Sequence, residues 1–240
     1  MSKAKLIVAL DVDTFEEAKK LIDELEGSVD IFKIGSQLFT AYGPFVTRYL
    51  QSKGKKVFLD LKFHDIPNTV ANAVKSAVSL SVSPNGQKGF APIYMLTVHT
   101  CGGQEMLEFA VKAAREQSKK LKVKAPLIVG VTVLTSHAKD DKLVALVLER
   151  ALMAKRAKLD GVVASVEEAA LIRRYCPKDF KIVTPGIRPS GAEVGDQKRV
   201  ATPKVAIEAG SDYLVVGRPI VQAENPAKAA KAILKEILGG

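Results

Sequence analysis

Eight short apolar runs alternate with longer amphipathic segments along the chain, and this alternation constrains the fold more than any other feature. The runs cover 6–11, 30–35, 56–62, 94–99, 127–134, 161–165, 181–186 and 213–217. Their apolar character is continuous, which is typical of strands that are buried on both faces of a parallel sheet. The sequence therefore predicts an α/β fold.

The segments between these runs have apolar residues near a 3.6-residue period, which indicates helices. The helix candidates are 14–27, 67–79, 105–117, 141–157, 166–175 and 226–238. Thr14 and Glu17 form a potential capping box, Gly27 is the expected end of that first helix, and Pro67 suits a first helical turn. Eight βα units in 240 residues favour a TIM (β/α)8 barrel as a single domain over 1–240. A doubly wound open sheet is the alternative, but the first turn, "LDVDTF", lacks the glycines usual there.

Composition limits the cellular setting and the partners. A hydrophobic content of 47% suits one well-filled core, and no apolar run approaches the ~18 residues that a membrane span needs. The N-terminal stretch has no secretory pattern, and Cys101 and Cys176 form neither a disulfide framework nor a zinc motif. We therefore expect a cytoplasmic protein with no membrane partner.

The net charge of +10 raises the question of nucleic-acid binding. The densest basic run, 119–124, has no interleaved aromatic residues, and the chain has no Trp. We interpret this run as a solvated helix end. The irregular stretch 81–92 follows the third helix and precedes the fourth strand, so we expect a surface insertion on the N-terminal face of the barrel.

Charged residues gather at the predicted carboxyl ends of the strands, where TIM barrels carry their active sites. Asp60 and Lys62 end the third strand, and residues two apart on a strand face the same way, so both should point into the barrel mouth. Lys33 ends the neighbouring strand, and Asp65 follows in the next loop. This alternating set predicts either a structural ion-pair network or a cationic acid, Lys62, held against developing negative charge. Asp11 and Thr135 also follow strand ends.

The loops after the last two strands are expected to bind phosphate, as they often do in TIM barrels. Gly217 allows close backbone approach, and Arg218 offers a bidentate fork to phosphate oxygens. Arg188 and Gln197 lie on a Gly- and Pro-rich segment that is long enough to act as a closing lid.

The histidines and Cys101 give weaker signals. His99 ends the fourth strand and is interpreted as a structural histidine, and neither His64 nor His137 has metal-ligand spacing. Cys101 is expected to be a small packed residue, because no stabilising partner for a thiolate is evident. No metal site is predicted.

Several motifs together resemble one enzyme family, the bacterial-type orotidine 5'-phosphate decarboxylases. They are "LDVD", "FKIG", "DLKFHDIPNTV", "VTVLTS", "TPGIRP", "GDQKR" and "VVGRPI", and they occur in the family's order along almost the whole chain. "DLKFHDIPNT" is the most specific of them. The resemblance implies a homodimeric TIM barrel that converts orotidine 5'-monophosphate to uridine 5'-monophosphate and CO2, with no cofactor and no metal.

The resemblance also implies a role for individual residues. Lys62 is the implied proton donor within a catalytic set that also contains Lys33, Asp60 and Asp65. The implied substrate-binding residues are Asp11, Lys33, Thr69, Thr135, Arg188, Gln197, Gly217 and Arg218. Asp65 and Thr69 are expected to reach the active site of the partner subunit. The sequence departs from the family pattern at 81–92 and in "HTCGG" around Cys101, which bears on dimer details.

Chemistry agrees with this resemblance, and two alternatives remain. Loss of CO2 from C6 of the pyrimidine leaves an in-plane carbanion, and the sequence has no motif for an electron-sink cofactor. Fixed charges must then stabilise that carbanion. Sugar-phosphate decarboxylases and hexulose-phosphate synthases share the Asp-x-Lys-x-x-Asp pattern but use Mg²⁺, and they usually lack "FHDIPNT". A basic, non-catalytic nucleic-acid-binding barrel is the second alternative.

Overall fold

The predicted barrel is present. A computed structural model describes residues 4–86, 90–134, 141–189 and 201–239. Eight parallel strands pair in sequence order and close into a barrel, with β8 beside β1. The strands are β1 (Lys5–Ala9), β2 (Ile31–Gly35), β3 (Lys56–Phe63), β4 (Ile93–His99), β5 (Leu127–Val131), β6 (Gly161–Val163), β7 (Lys181–Thr184) and β8 (Tyr213–Val216). The closed order excludes the open-sheet alternative.

Helices cover the outside of the strands. They are α1 (Phe15–Leu25), α2 (Ser36–Tyr42), α3 (Pro44–Ser52), α4 (Pro67–Ser79), α5 (Gly103–Leu121), α6 (Asp141–Arg156), α7 (Val166–Tyr175), α8 (Pro203–Glu208), α9 (Arg218–Val221) and α10 (Pro226–Ile237), with a 3₁₀ turn at Thr100–Gly102. The capping box of Thr14 and Glu17 is confirmed, but α1 ends at Leu25 with Glu26 as its C-cap, two residues before the expected Gly27. Lys119 and Lys120 lie exposed in the last turn of α5, which confirms the solvated helix end.

Buried apolar side chains form two layers, one on each side of the strands. The inner layer fills the barrel and contains Ile7, Phe58, Met95, Val129 and Tyr213, among others. The outer layer lies between strands and helices and is much larger. Burial on both faces explains why the strands are continuous apolar runs in the sequence.

The stretch 81–92 leaves the barrel at the end away from the carboxyl ends of the strands, as expected for an insertion there. Its two ends are held together. The buried amide of Gln51 donates to the carbonyls of Leu80 (2.9 Å) and Ala91 (2.8 Å), and the backbone N–H of Ile93 donates to the hydroxyl of Ser81 (3.0 Å). These contacts hold the chain in place where it enters β4.

Candidate active site

A cavity of about 500 Å³ opens at the carboxyl ends of the strands. This volume lies within the range of small-molecule sites. The charged side chains in its wall are Asp11, Lys33, Asp60, Lys62, Arg188 and Arg218. The remaining wall is largely apolar and includes Val131, Val133, Leu134, Val163, Val183, Pro185, Val215 and Val221. The strand ends therefore bring six of the predicted site residues, together with Gly217, around one cavity.

Three of these residues form a compact unit, here called the lysine–aspartate cluster: Lys33, Asp60 and Lys62. The carboxylate Oδ2 of Asp60 lies 2.9 Å from the Nζ of Lys62 and 3.6 Å from the Nζ of Lys33. The side chains of Lys33 and Asp60 are each 11% exposed, whereas that of Lys62 is 37% exposed. Asp60 is thus a buried carboxylate between two ammonium groups, and Lys62 is the member that faces the open cavity.

Asp11 extends the cluster on the side of β1. Its Oδ1 accepts a hydrogen bond from the Nζ of Lys33 at 2.9 Å. Gly35 makes room for this pair, since a Cβ at that position would lie 3.2 Å from both the Asp11 carboxylate and the Lys33 ammonium. Lys33 therefore bridges two carboxylates, and its position is determined by both.

Lys62 reaches the cavity by a route that the sequence reasoning did not foresee. Regular alternation along β3 was expected to point Asp60 and Lys62 the same way. Instead, the register with β4 is interrupted between Leu59 and Phe63, and Lys62 has a left-handed backbone with φ of 51°. The predicted proximity is present, but a β-bulge produces it rather than strand alternation.

The buried Thr97 of β4 is a site residue that the sequence reasoning missed. Its hydroxyl donates to Oδ1 of Asp60 (3.0 Å) and accepts from the backbone N–H of Lys62 (2.8 Å). A lone polar residue inside the apolar run "YMLTVH" was the available signal. Gln222 also lines the cavity and was not predicted.

Arg188 and Arg218, the predicted phosphate-binding residues, also line the cavity. Arg188 is 8% exposed and follows β7, whereas Arg218 is half-buried and begins α9 directly after Gly217. The backbone N–H of Arg188 donates to the carbonyl of Ala201 at 3.0 Å, and Ile187 pairs with Ala201. The strand before Arg188 and the chain after 200 are thereby joined at the rim. Gln197 and Thr135 lie outside the described residues, as does most of the predicted lid.

Asp65 and Thr69 stand apart from the other predicted residues. Both are exposed, and neither belongs to the cavity wall of the described chain. The Oδ1 of Asp65 accepts a hydrogen bond from the backbone N–H of Ile66 at 2.7 Å, just before α4. Ile66 itself is 67% exposed. These residues lie at the outer edge of the barrel mouth.

The expectation that Cys101 is packed was wrong. Cys101 is exposed on the 3₁₀ turn, and its Sγ lies 3.1 Å from Nδ1 of His99 and 3.6 Å from Nε2 of His64. Burial of the imidazole lowers the pKa of His99, and the positive charges of His64, Arg150 and Lys62 lower it further. Within the described residues, no group of three or more His, Cys, Asp or Glu side chains is arranged to hold a metal ion.

Fold and site together define an α/β-barrel enzyme whose cavity wall carries four cationic and two anionic side chains. A model of the Orotidine 5'-phosphate decarboxylase / HUMPS family matches residues 4–233, and the chain belongs to this family. In the described ranges, no helix has the length and apolar character to cross a membrane.

Relatives and solved structures agree with that family. Orotidine 5'-phosphate decarboxylase of Syntrophotalea carbinolica is 48% identical, covering 98% of this chain and 96% of its own length. The enzyme of the same name from Moorella thermoacetica is 46% identical, covering 98% of this chain and 93% of its own. The crystal structure of the Lactobacillus acidophilus enzyme matches with a TM-score of 0.82 and 37% identity, over 98% of this chain and 99% of that one. The Methanocaldococcus jannaschii enzyme, complexed with the inhibitor BMP, matches with a TM-score of 0.72 and 26% identity, over 99% of this chain and 100% of that one.

Proposed function

We propose that the chain decarboxylates orotidine 5'-monophosphate to uridine 5'-monophosphate and CO2, the last step of de novo pyrimidine synthesis, without a cofactor or a metal. The lysine–aspartate cluster, which lines one cavity together with two arginines, is the observation that carries this proposal. The names of relatives that are 46–48% identical to the chain support the choice of substrate.

The reaction is difficult because the electron pair left at C6 lies in the ring plane, outside the π system. Lys62 supplies a fixed positive charge for this electron pair and then donates the proton that replaces CO2. Its Nζ is held 2.9 Å from Asp60, so the ammonium group needs little reorganisation during the reaction. Asp60, itself held by Lys33 and Thr97, presents a second negative charge near the substrate carboxylate.

The phosphate group binds at the other end of the cavity in this proposal. Arg188 and Arg218 hold its oxygens through charge-assisted hydrogen bonds, with Gly217 beside them. The family resemblance assigns Gln197 to the phosphate and the base and Thr135 to the base, and both residues lie outside the described ranges. Because the phosphate is distant from C6, its binding energy serves to close the site and to orient the ring over Lys62.

We further propose a homodimer with shared active sites. Asp65 and Thr69 are exposed and are absent from the part of the cavity wall that the described residues form, which suits side chains that serve a neighbouring chain. The exposed Ile66 between them would be covered by that neighbour. The proposal includes a cytoplasmic location, which suits the two free cysteines, and no nucleic-acid or membrane partner.

The test of this function is the loss of ultraviolet absorbance of orotidine 5'-monophosphate with purified, EDTA-treated protein. Turnover is expected at the same rate with and without EDTA. The alternative within this superfamily, an Mg²⁺-dependent sugar-phosphate enzyme, predicts no turnover in EDTA and recovery of a sugar-phosphate reaction with Mg²⁺. Salt-sensitive binding to random DNA with no turnover would instead support the nucleic-acid-binding alternative.

A further inference from the structure

The bulge in β3 stands opposite one residue of β4. Leu59 pairs with Leu96, and the next pair is Phe63 with Val98. Three residues, 60–62, therefore occupy the place opposite Thr97 alone. The bulge is what turns the Lys62 side chain to the same cavity as Asp60.

The hydroxyl of Thr97 makes hydrogen bonds to two residues of this bulge. The oxygen accepts from the backbone N–H of Lys62 at 2.8 Å, and the proton is donated to Oδ1 of Asp60 at 3.0 Å. The side chain is fully buried. Among side chains of this size only Thr and Ser offer both a donor and an acceptor on one atom at this distance from the backbone.

We propose that Thr97 is a positioning residue for the decarboxylation, a role that rests on the proposed function. Its hydroxyl holds the Lys62 backbone in the left-handed conformation and holds the Asp60 carboxylate in one orientation. The ammonium and carboxylate groups are thereby fixed relative to each other before substrate binds. Thr97 acts through these two residues, and it contributes no charge of its own.

Two physical facts make this more than ordinary packing. A left-handed backbone is unfavourable for a residue with a Cβ such as Lys62, so an interaction must maintain it. The second fact is that, among the described residues, Asp60 would keep only its ammonium partners without the Thr97 hydroxyl, and these contact the other carboxylate oxygen. The carboxylate could then rotate, and Lys62 would follow it.

The test compares two substitutions that differ in the hydroxyl. Thr97→Val keeps the shape of the side chain and removes the hydroxyl, whereas Thr97→Ser keeps the hydroxyl and removes a methyl group. We expect Thr97→Val to lower kcat by about 10²-fold, the effect of a small misplacement of reacting groups, with little change in KM. Thr97→Ser should keep kcat within a few-fold of the wild type.

Thr184→Val is the matched control. Thr184 is fully buried at the end of β7, and its hydroxyl bonds to Ser211 at 2.7 Å outside the cavity wall. This variant loses a buried hydroxyl as Thr97→Val does, yet it should keep the wild-type kcat. Equal kcat for Thr97→Val and wild type, or an equal loss in Thr97→Ser and Thr97→Val, would overturn the positioning role.

Backbone amide exchange tests the same contact without turnover. In the wild type, the amide of Lys62 should exchange slowly compared with that of the exposed His64, and it should stay protected in Thr97→Ser. Protection should fall in Thr97→Val, or in Thr97→Ala if the valine variant does not fold. An unprotected Lys62 amide in the wild type contradicts the proposal directly. Absence of decarboxylation by the wild type would instead refute the proposed function. The exchange rate of the Lys62 amide would still report the contact with Thr97.

Discussion

The Nζ of Lys62 lies 2.9 Å from Oδ2 of Asp60, although the two residues are on a strand whose regular pairing is broken between them. The ammonium group is also the most exposed member of the lysine–aspartate cluster. It is therefore placed to meet substrate while its carboxylate partner stays buried.

Lys62→Ala should remove decarboxylation by lowering kcat at least about 10³-fold, because the variant loses both the fixed charge and the proton donor. Binding of uridine 5'-monophosphate, the product of the proposed reaction, should be largely kept, since the proposed phosphate-binding arginines are unchanged. Steady-state kinetics and a binding titration measure the two effects. Lys112→Ala, on an exposed face of α5, is the control and should behave as wild type. Near-normal kcat in Lys62→Ala would make the cluster purely structural.

Arg218→Ala should cost about 3–5 kcal/mol in kcat/KM, the loss of a charge-assisted anchor together with its effect on site closure. The comparison substrate is orotidine, which lacks the phosphate. Its slow turnover should not respond to the substitution, because it has no group for Arg218 to hold. An equal loss with both substrates would assign Arg218 to maintenance of the fold.

Shared active sites predict complementation between inactive chains. Homodimers of Lys62→Ala and of Asp65→Ala should each be nearly inactive. Mixed, unfolded and refolded together, half of the dimers should be heterodimers with one intact site in two, so about a quarter of wild-type activity should return. Separation of the mixed dimers by a charge tag confirms their presence. If those heterodimers are no more active than either parent, Asp65 serves its own chain.

His99 should make the fold sensitive to mild acid. Burial and nearby positive charge lower its pKa below the ordinary value of 6.5, so the unfolded chain takes up the proton first as the pH falls. The free energy of unfolding should therefore decrease from pH 6.5 downwards, until the folded protein is protonated too. His99→Asn should lose this part of the pH dependence in denaturant melts. His64→Gln should raise the pKa of His99 in an NMR titration. A His99 pKa of 6.5 or above in the wild type would contradict the expected acid sensitivity, and an unchanged pKa in His64→Gln would contradict the effect of His64.

Gly161→Ala should destabilise the barrel by about 1–3 kcal/mol, as overpacking does. A Cβ at the start of β6 would overlap the backbone carbonyl of Lys181 on β7, and a carbonyl within a paired strand cannot move aside cheaply. Denaturant unfolding measures the effect. Gly27→Ala is the control, since a Cβ there would meet nothing within 4 Å, and its stability should stay close to that of the wild type. If Gly161→Ala were as stable as the wild type, β6 would be able to shift to make room for the Cβ.

The strands were predictable because each is buried on both faces, but four short helices, α2, α3, α8 and α9, were not. The segment 36–52 folds as two helices, α2 and α3. Gly43, with φ of 55°, separates them, and Pro44 is the first residue of α3. Each piece has fewer than ten residues, too short for a clear helical period. Neither piece was identified as a helix from the sequence.

The part of the site that consists of charged residues at strand ends was predictable from the sequence. Lys33, Asp60 and Lys62 were found in this way, since charge at the end of an apolar run is conspicuous. Thr97 was missed because its role depends on a bulge in a strand that is 35 residues away in sequence. Cys101 was misjudged because a 3₁₀ turn, invisible as a period, turns its thiol outward. A sequence pattern predicts the structure of its own segment. The role of Thr97 and the exposure of Cys101 depend on how separate segments meet.

The bonds of Gln51 and Ser81 have a consequence for engineering. They join the two ends of the stretch 81–92 on the face opposite the candidate active site, so the chain is held closed at this point by contacts at the ends of the stretch. New chain termini placed inside that stretch, with the original termini connected, should leave the barrel able to fold. A fused reporter domain could be inserted there as well, at the end of the barrel opposite the candidate active site.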